Sequence, residues 1–154
     1  MSYQVQAFFD PVTSTFSYVL YDAPGGSCAV IDSVLDYESR SGRTSTRSAD
    51  RMAVFIEQND LKVEWLLETH AHADHLSAAR YLKRKLGGKI AVGAGIREVQ
   101  RTFYDLYNME DVFKERFDYF DHLFEAGEIF EVGNIRVSAW HVPGHTPADT
   151  AYVV

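Results

Sequence analysis

The chain has one cysteine, Cys28, so no disulfide can form within it and packed apolar side chains must supply its stability. A reducing compartment, the cytoplasm, is the resulting expectation. No apolar run approaches the ~20 residues of a membrane-spanning helix, and residues 1–10 lack the basic and apolar regions of a secretory signal. Positive charge is also scarce. With 15 Lys and Arg against 22 Asp and Glu, the net charge of −7 argues against nucleic acid or an anionic membrane as partner. An anionic small molecule stays open, because a bound metal can dominate its local field.

What the chain does have is enough length for a real core. Its 154 residues suit a single domain spanning 1–154, and 46% hydrophobic with 24% charged residues is ordinary for a globular protein. Ten Phe and nine Tyr point to an aromatic interior or an aromatic-lined pocket. Residues 3–9, 15–21 and 27–31 are rich in apolar, β-branched and aromatic side chains, and Asp10-Pro11 and Pro24-Gly25-Gly26 punctuate them as turns. Cys28, beside Ala29, Val30 and Ile31, reads as a core thiol. Residues 36–47 have no apolar period and read as a long surface loop. Ser48 then reads as the N-cap of a helix whose buried face is Met52, Phe55 and Ile56.

Trp65-Leu66-Leu67 is a continuous apolar run of the kind buried on both faces of a sheet. Ala79, Leu82 and Leu86 mark a second helix stopped by Gly87-Gly88, and residues 89–92 a short strand. Ile96, Val99, Phe103 and Leu106 are expected to be the buried stripe of a third helix. Gly133-Asn134 would turn a hairpin between residues 128–132 and 135–141. Strands alternating with helices define an α/β fold.

The chemistry is concentrated in Thr69-His70-Ala71-His72-Ala73-Asp74-His75. Three imidazoles and a carboxylate in six residues would be costly to bury without a metal or hydrogen-bond partners. They directly follow a buried strand, a usual place for sites in α/β folds. His70 and His72, two apart, can point from one side of an extended segment, while Asp74 and His75 fall where the chain turns toward the helix. Neutral imidazoles with a carboxylate suit Zn, Fe, Mn or Ni. For a single histidine, a solvated polar loop would be the better reading; for this whole pattern, metal binding is.

His-x-His-x-Asp-His after a strand resembles the signature of the metallo-β-lactamase superfamily. His141-Val142-Pro143-Gly144-His145-Thr146 is similar to its second histidine loop. The resemblance implies an αβ/βα sandwich, of which this chain would be the N-terminal half plus the start of the second half. It also implies that His70, His72 and His145 form one metal site, with Asp74 and His75 contributing to a second and Asp74 the catalytic carboxylate. His141 reads as structural, His122 as a surface residue within 118–125, and Asp149 and Asp32 as turn residues.

Residues 68–78 look most like the persulfide dioxygenase branch. Val34-Leu35-Asp36-Tyr37 and Ser41-Gly42-Arg43-Thr44-Ser45-Thr46 resemble a bacterial group of that branch associated with sulfide detoxification. That branch holds one Fe(II) with two histidines, His70 and His145 by position, and one aspartate, and it oxidises glutathione persulfide to sulfite. The alternative is a glyoxalase II-like hydrolase, with two Zn(II) ions sharing a hydroxide that attacks a thioester. The aspartate that normally follows the second histidine loop is not among these residues, which implies a truncated chain. A third alternative is therefore a catalytically incomplete fragment that binds metal or self-associates. Open sheet edges would favour a homo-oligomer.

Overall fold

The computed structural model describes residues 2–109 and 119–154. The first elements are β1 (Gln4–Asp10), β2 (Thr15–Tyr21), β3 (Ser27–Ile31), β4 (Val34–Glu38), β5 (Arg43–Ser45), α1 (Arg47–Gln58), β6 (Lys62–Leu67), β7 (Leu76–Ser77) and α2 (Ala79–Leu86). After these come β8 (Lys89–Gly93), α3 (Ile96–Leu106), β9 (His122–Phe124), β10 (Ile129–Val132), β11 (Ile135–His141) and β12 (Thr150–Val153). The main sheet runs β1-β2-β3-β6-β8-β9, antiparallel through β3 and parallel from β3 onward. A second sheet, β10-β11-β12, is antiparallel, and its first hairpin turns at Gly133-Asn134 as expected.

Alternate residues of a strand leave on opposite faces, and the main sheet uses this to build two cores. Val19, Cys28, Val30, Leu66 and Ile90 face α1 and α2, meeting Met52, Ala53, Ile56 and Leu82. Leu20, Ala29, Leu67 and Ala91 face the second sheet, meeting Phe130, Val132 and Val137. The result is a layer of helices, a central sheet and a second sheet. Each fully buried aliphatic side chain here contributes ~1.5–3 kcal/mol relative to exposure. Cys28 is fully buried, and burial pushes its thiol up to about 12, so it is a core residue as expected.

Three local expectations are corrected. The supposed loop at residues 36–47 contains the β4–β5 hairpin, with β4 also pairing β7. Its mostly exposed side chains carry no apolar period, so the sequence concealed it. Ser48 is not the N-cap: α1 begins one residue earlier, after Thr46. The backbone N–H and hydroxyl of Ser48 donate instead to Asp36 at 2.9 and 2.8 Å, so a distant carboxylate satisfies the helix end. Finally, of the α3 stripe only Ile96 is buried; Phe103 and Leu106 are 46% and 68% exposed.

Asp50 ties α1 to α2. Its carboxylate accepts hydrogen bonds from Lys85 Nζ at 2.8 Å and from the Tyr81 and Thr46 hydroxyls at 2.5 and 2.7 Å. These bonds, Lys85 foremost, hold its carboxyl down to about 2, against an ordinary 3.8. A carboxyl lowered on folding contributes stability that is present above its unfolded value and is lost as pH falls through its folded one. Asp50→Asn should therefore lower the urea midpoint at neutral pH. Its difference from the parent should close as the titration descends from about 4 to about 2.

Candidate metal centre

The central strand β6 delivers the histidine segment. Thr69 is pinned to the end of neighbouring β3, because its N–H and hydroxyl donate to the Asp32 carboxylate at 2.7 and 2.8 Å. From the second sheet, Thr150 N–H donates to Thr69 O and the Tyr152 hydroxyl to Glu68 O, both at 2.9 Å. Close approach of β12 to β8 allows this, and a Cβ at Gly93 would overlap the Thr150 hydroxyl. Two sheets thus fix the backbone from which the histidines project.

These bonds also settle which ring nitrogens are free. The one proton of Thr69 Oγ1 goes to Asp32, so the contact of Oγ1 with His70 Nδ1 at 2.8 Å requires Nδ1 to donate. The lone pair of His70 is then on Nε2. His72 Nε2 faces carboxylates, Asp32 Oδ1 at 2.9 Å and Glu68 Oε2 at 3.2 Å, and therefore carries a proton, leaving Nδ1 as the donor atom to a metal. Burial disfavours a charged ring at His72, but the two carboxylates outweigh it and push the ring up to about 10. Burial lowers His70 and His75, keeping those rings neutral.

The five expected ligands converge. The ring centroid of His70 lies 4.2 Å from that of His72 and 5.0 Å from that of His145, and His72 lies 4.2 Å from His75. Asp74 Oδ1 is 3.3 Å from His75 Nδ1 and 3.9 Å from His72 Nδ1. Its other oxygen accepts the Thr15 hydroxyl at 2.7 Å. Burial is the largest single influence on Asp74 and raises it, but Thr15, its own backbone N–H and His75 together outweigh it and hold the carboxyl down to about 2. A cavity of about 360 Å³ opens among Thr15, Asp32, His70, His72, Asp74 and His145. A second cavity, about 430 Å³, lies against His75 and is walled by Ile96, Val99, Phe103, Tyr104 and Tyr119.

The residues fit a metal. The His75 side chain is fully buried, and neither ring nitrogen has a hydrogen-bond partner among the described residues. A buried ring with the Asp74 carboxylate 3.3 Å from Nδ1 and nothing bonded to Nε2 is costly unless a cation takes a lone pair. The imidazoles of His70 and His75, neutral by burial, and the ionised Asp74 form a suitable donor set for zinc or iron, and His72 would join it by giving up its Nδ1 proton to the metal.

The remaining residues have other work. Asp149 clamps the second histidine loop, its carboxylate accepting the N–H groups of His145 and Thr146 at 2.8 and 3.0 Å and the Thr146 hydroxyl. His141 Nε2 bonds Pro147 O at 2.7 Å in the same loop, the structural role expected of it. His122 pairs with Glu128 at 2.7 Å and packs against Trp65 and Phe124, away from the cluster; residue 118, in the stretch that holds it, lies outside the described residues. Asp32 turns the chain at φ 51° but also holds Thr69 and His72, a role its position in a turn did not announce. Thr15 and Glu68 were likewise missed. The available signal was the parallel pairing of β3 and β6, which sets Asp32 beside the histidine segment.

Comparison with known proteins gives the family and the fold. Residues 10–153 match the metallo-beta-lactamase superfamily, and the chain belongs to it. A probable metallo-hydrolase of Burkholderia pseudomallei is 49% identical over 97% of the chain and 51% of its own length. Glyoxylase B2 of Dictyostelium discoideum is 41% identical over 98% and 52%. The human mitochondrial persulfide dioxygenase ETHE1 is 26% identical over 97% and 47%. Among solved structures, ETHE1 from Myxococcus xanthus superposes with a TM-score of 0.71 at 20% identity, covering 97% of this chain and 53% of that one. The chain spans about half the length of these relatives.

Proposed function

We propose that the chain supplies the histidine-rich part of a metal centre that oxidises glutathione persulfide to sulfite with dioxygen. The observation that carries the metal centre is the meeting of His145 with His70, two rings brought from different sheets to 5.0 Å. The persulfide branch is supported by the run Glu68–Ala78 and by the likeness to the human persulfide dioxygenase along nearly the whole chain. In the reaction the S–S bond breaks, the inner sulfur leaves as glutathione thiol, and the outer sulfur is oxidised to sulfite. Dioxygen is the oxidant, and water supplies the third oxygen.

In this reading His70 through Nε2 and His145 hold one Fe(II). When bound, the iron would supply open coordination positions for dioxygen and sulfur. The protein's own part is to keep His70 neutral by burial and to hold it in one tautomer through Thr69. Both oxygens of Asp149 are committed to the loop, so it does not supply the carboxylate of such a triad, whereas Asp74 gives one oxygen to Thr15 and turns the other toward His72 and His75, on the side of the second donor set.

A second reading, zinc-dependent thioester hydrolysis, is favoured by the buried, unpartnered His75 beside Asp74 and His72, a second set of donors kept intact. The metallo-hydrolase and glyoxylase relatives support it too. To separate the two, the full chain is loaded with Fe(II) or Zn(II), and metal content, oxygen uptake on glutathione persulfide and thioester cleavage are measured. Iron-dependent oxygen uptake with sulfite release is the expected result. Cleavage with zinc alone would replace it by the hydrolase, and bound metal without either turnover would replace both by the third alternative, a catalytically incomplete segment that binds metal.

A further inference from the structure

Glu68 is a deeply buried carboxylate at the centre, with a side chain 5% exposed; it is not one of the five expected ligands and forms a separate group with Asp32 and His72. Its backbone is held on both sides: its N–H donates to Ala91 O of β8 at 2.9 Å, and its carbonyl accepts the Tyr152 hydroxyl. Oε1 accepts the Ser77 hydroxyl from β7. Oε2 has no aligned hydrogen-bond donor among the described residues, and its nearest polar neighbour is His72 Nε2 at 3.2 Å. A buried carboxylate oxygen without a donor is expensive unless positive charge lies next to it. The ring of His72, 3.2 Å away and with a divalent cation on its other nitrogen, would supply that charge.

Asp32 already bonds that ring, but its two oxygens are shared with both donors of Thr69. We propose that Glu68 is a positioning residue for the metal: a second carboxylate that, with Asp32, grips His72 Nε2 and aims Nδ1 into the centre. This rests on the metal-centre reading above. The chemistry is that of a carboxylate behind a ligating imidazole, which fixes the ring's tautomer and raises its basicity. Doubling it surrounds His72 with two buried negative charges that a bound cation balances through the ring. Ser77 has a part in this, because its hydroxyl holds the other oxygen of Glu68.

The test compares Glu68→Gln with the parent in the full chain, using Zn(II) as the probe. The amide keeps the shape and an acceptor for Ser77 but removes the charge facing His72. Its affinity, from competition with a chromogenic chelator, should fall by about 10–100-fold, the cost of losing such a partner. In the zinc-loaded, histidine-labelled chain, the proton resonance of His72 Nε2–H should move upfield, which a packing role alone would not produce. If Glu68→Gln does not fold, Ser77→Ala, which frees the carboxylate without removing it, should show the same two changes at smaller amplitude. Zinc affinity within twofold of the parent with an unmoved His72 resonance would overturn the role of Glu68. A parent chain that binds no zinc would instead overturn the metal centre itself.

Discussion

A His145→Ala chain is expected to lose its metal. The fall in affinity should exceed the roughly 10–100-fold that loss of a ligand's hydrogen-bond partner costs, because a donor atom itself is removed. His145 is the one imidazole of the cluster that does not come from the segment after β6, and it reaches His70 only because its loop is clamped by Asp149 and His141. Without it the metal position at His70 keeps only the nitrogens of His70 and His72, because Asp74 and His75 belong to the second donor set on the far side of His72, and two are too few to displace most of the water around zinc or iron. Metal content after gel filtration, measured alongside circular dichroism, checks this. His122→Ala is the control: that ring pairs with Glu128 outside the cluster and should leave the metal in place. Turnover of either kind should vanish with the metal, since the centre has no nucleophile of its own to fall back on. Retention of a full equivalent by His145→Ala would remove the observation on which the proposed function stands.

The ligands were legible because their signal is local. His70, His72, Asp74 and His75 lie within six residues after an apolar run, and a short bent segment brings them together. His145 was legible only through its motif, since nothing in spacing places it beside His70. The residues that aim the ligands were not legible. Asp32, Glu68 and Thr15 act through strand register and hairpin placement, and isolated carboxylates and threonines in a sequence usually mean turns and caps. Secondary structure followed the same division. The buried strands β3, β6 and β8 announce themselves by apolar content, whereas β5 and the second half of β4 are largely polar and exposed, so only pairing reveals them. The α3 stripe misled for the opposite reason: Val99 and Phe103, with buried Ile96, line a cavity beside His75, and Leu106 is exposed.

Phe124→Ala should give the largest loss of stability, and the reason bears on the metal centre as well as the core. Phe124 is 2% exposed at the end of β9 and joins the two sheets. Its ring lies 4.4 Å from Phe130, 5.3 Å from Trp65 and 6.0 Å from Tyr152, centroid to centroid. Truncating a buried Phe costs about 3–5 kcal/mol through lost transfer energy and the cavity left behind. Against a total of roughly 5–15 kcal/mol for a domain, that is a large fraction. Urea denaturation should show a lower midpoint with little change in slope. The loss should also reach the site. Phe124 supports Tyr152 and, through Phe130, the β10–β11 hairpin from which the His145 loop departs, and Tyr152 in turn holds the carbonyl of Glu68. Zinc affinity should therefore fall together with stability in Phe124→Ala, whereas in Asp50→Asn, confined to the contact between α1 and α2, stability should fall alone. Coupling in the first variant and none in the second is what a centre suspended between two sheets requires.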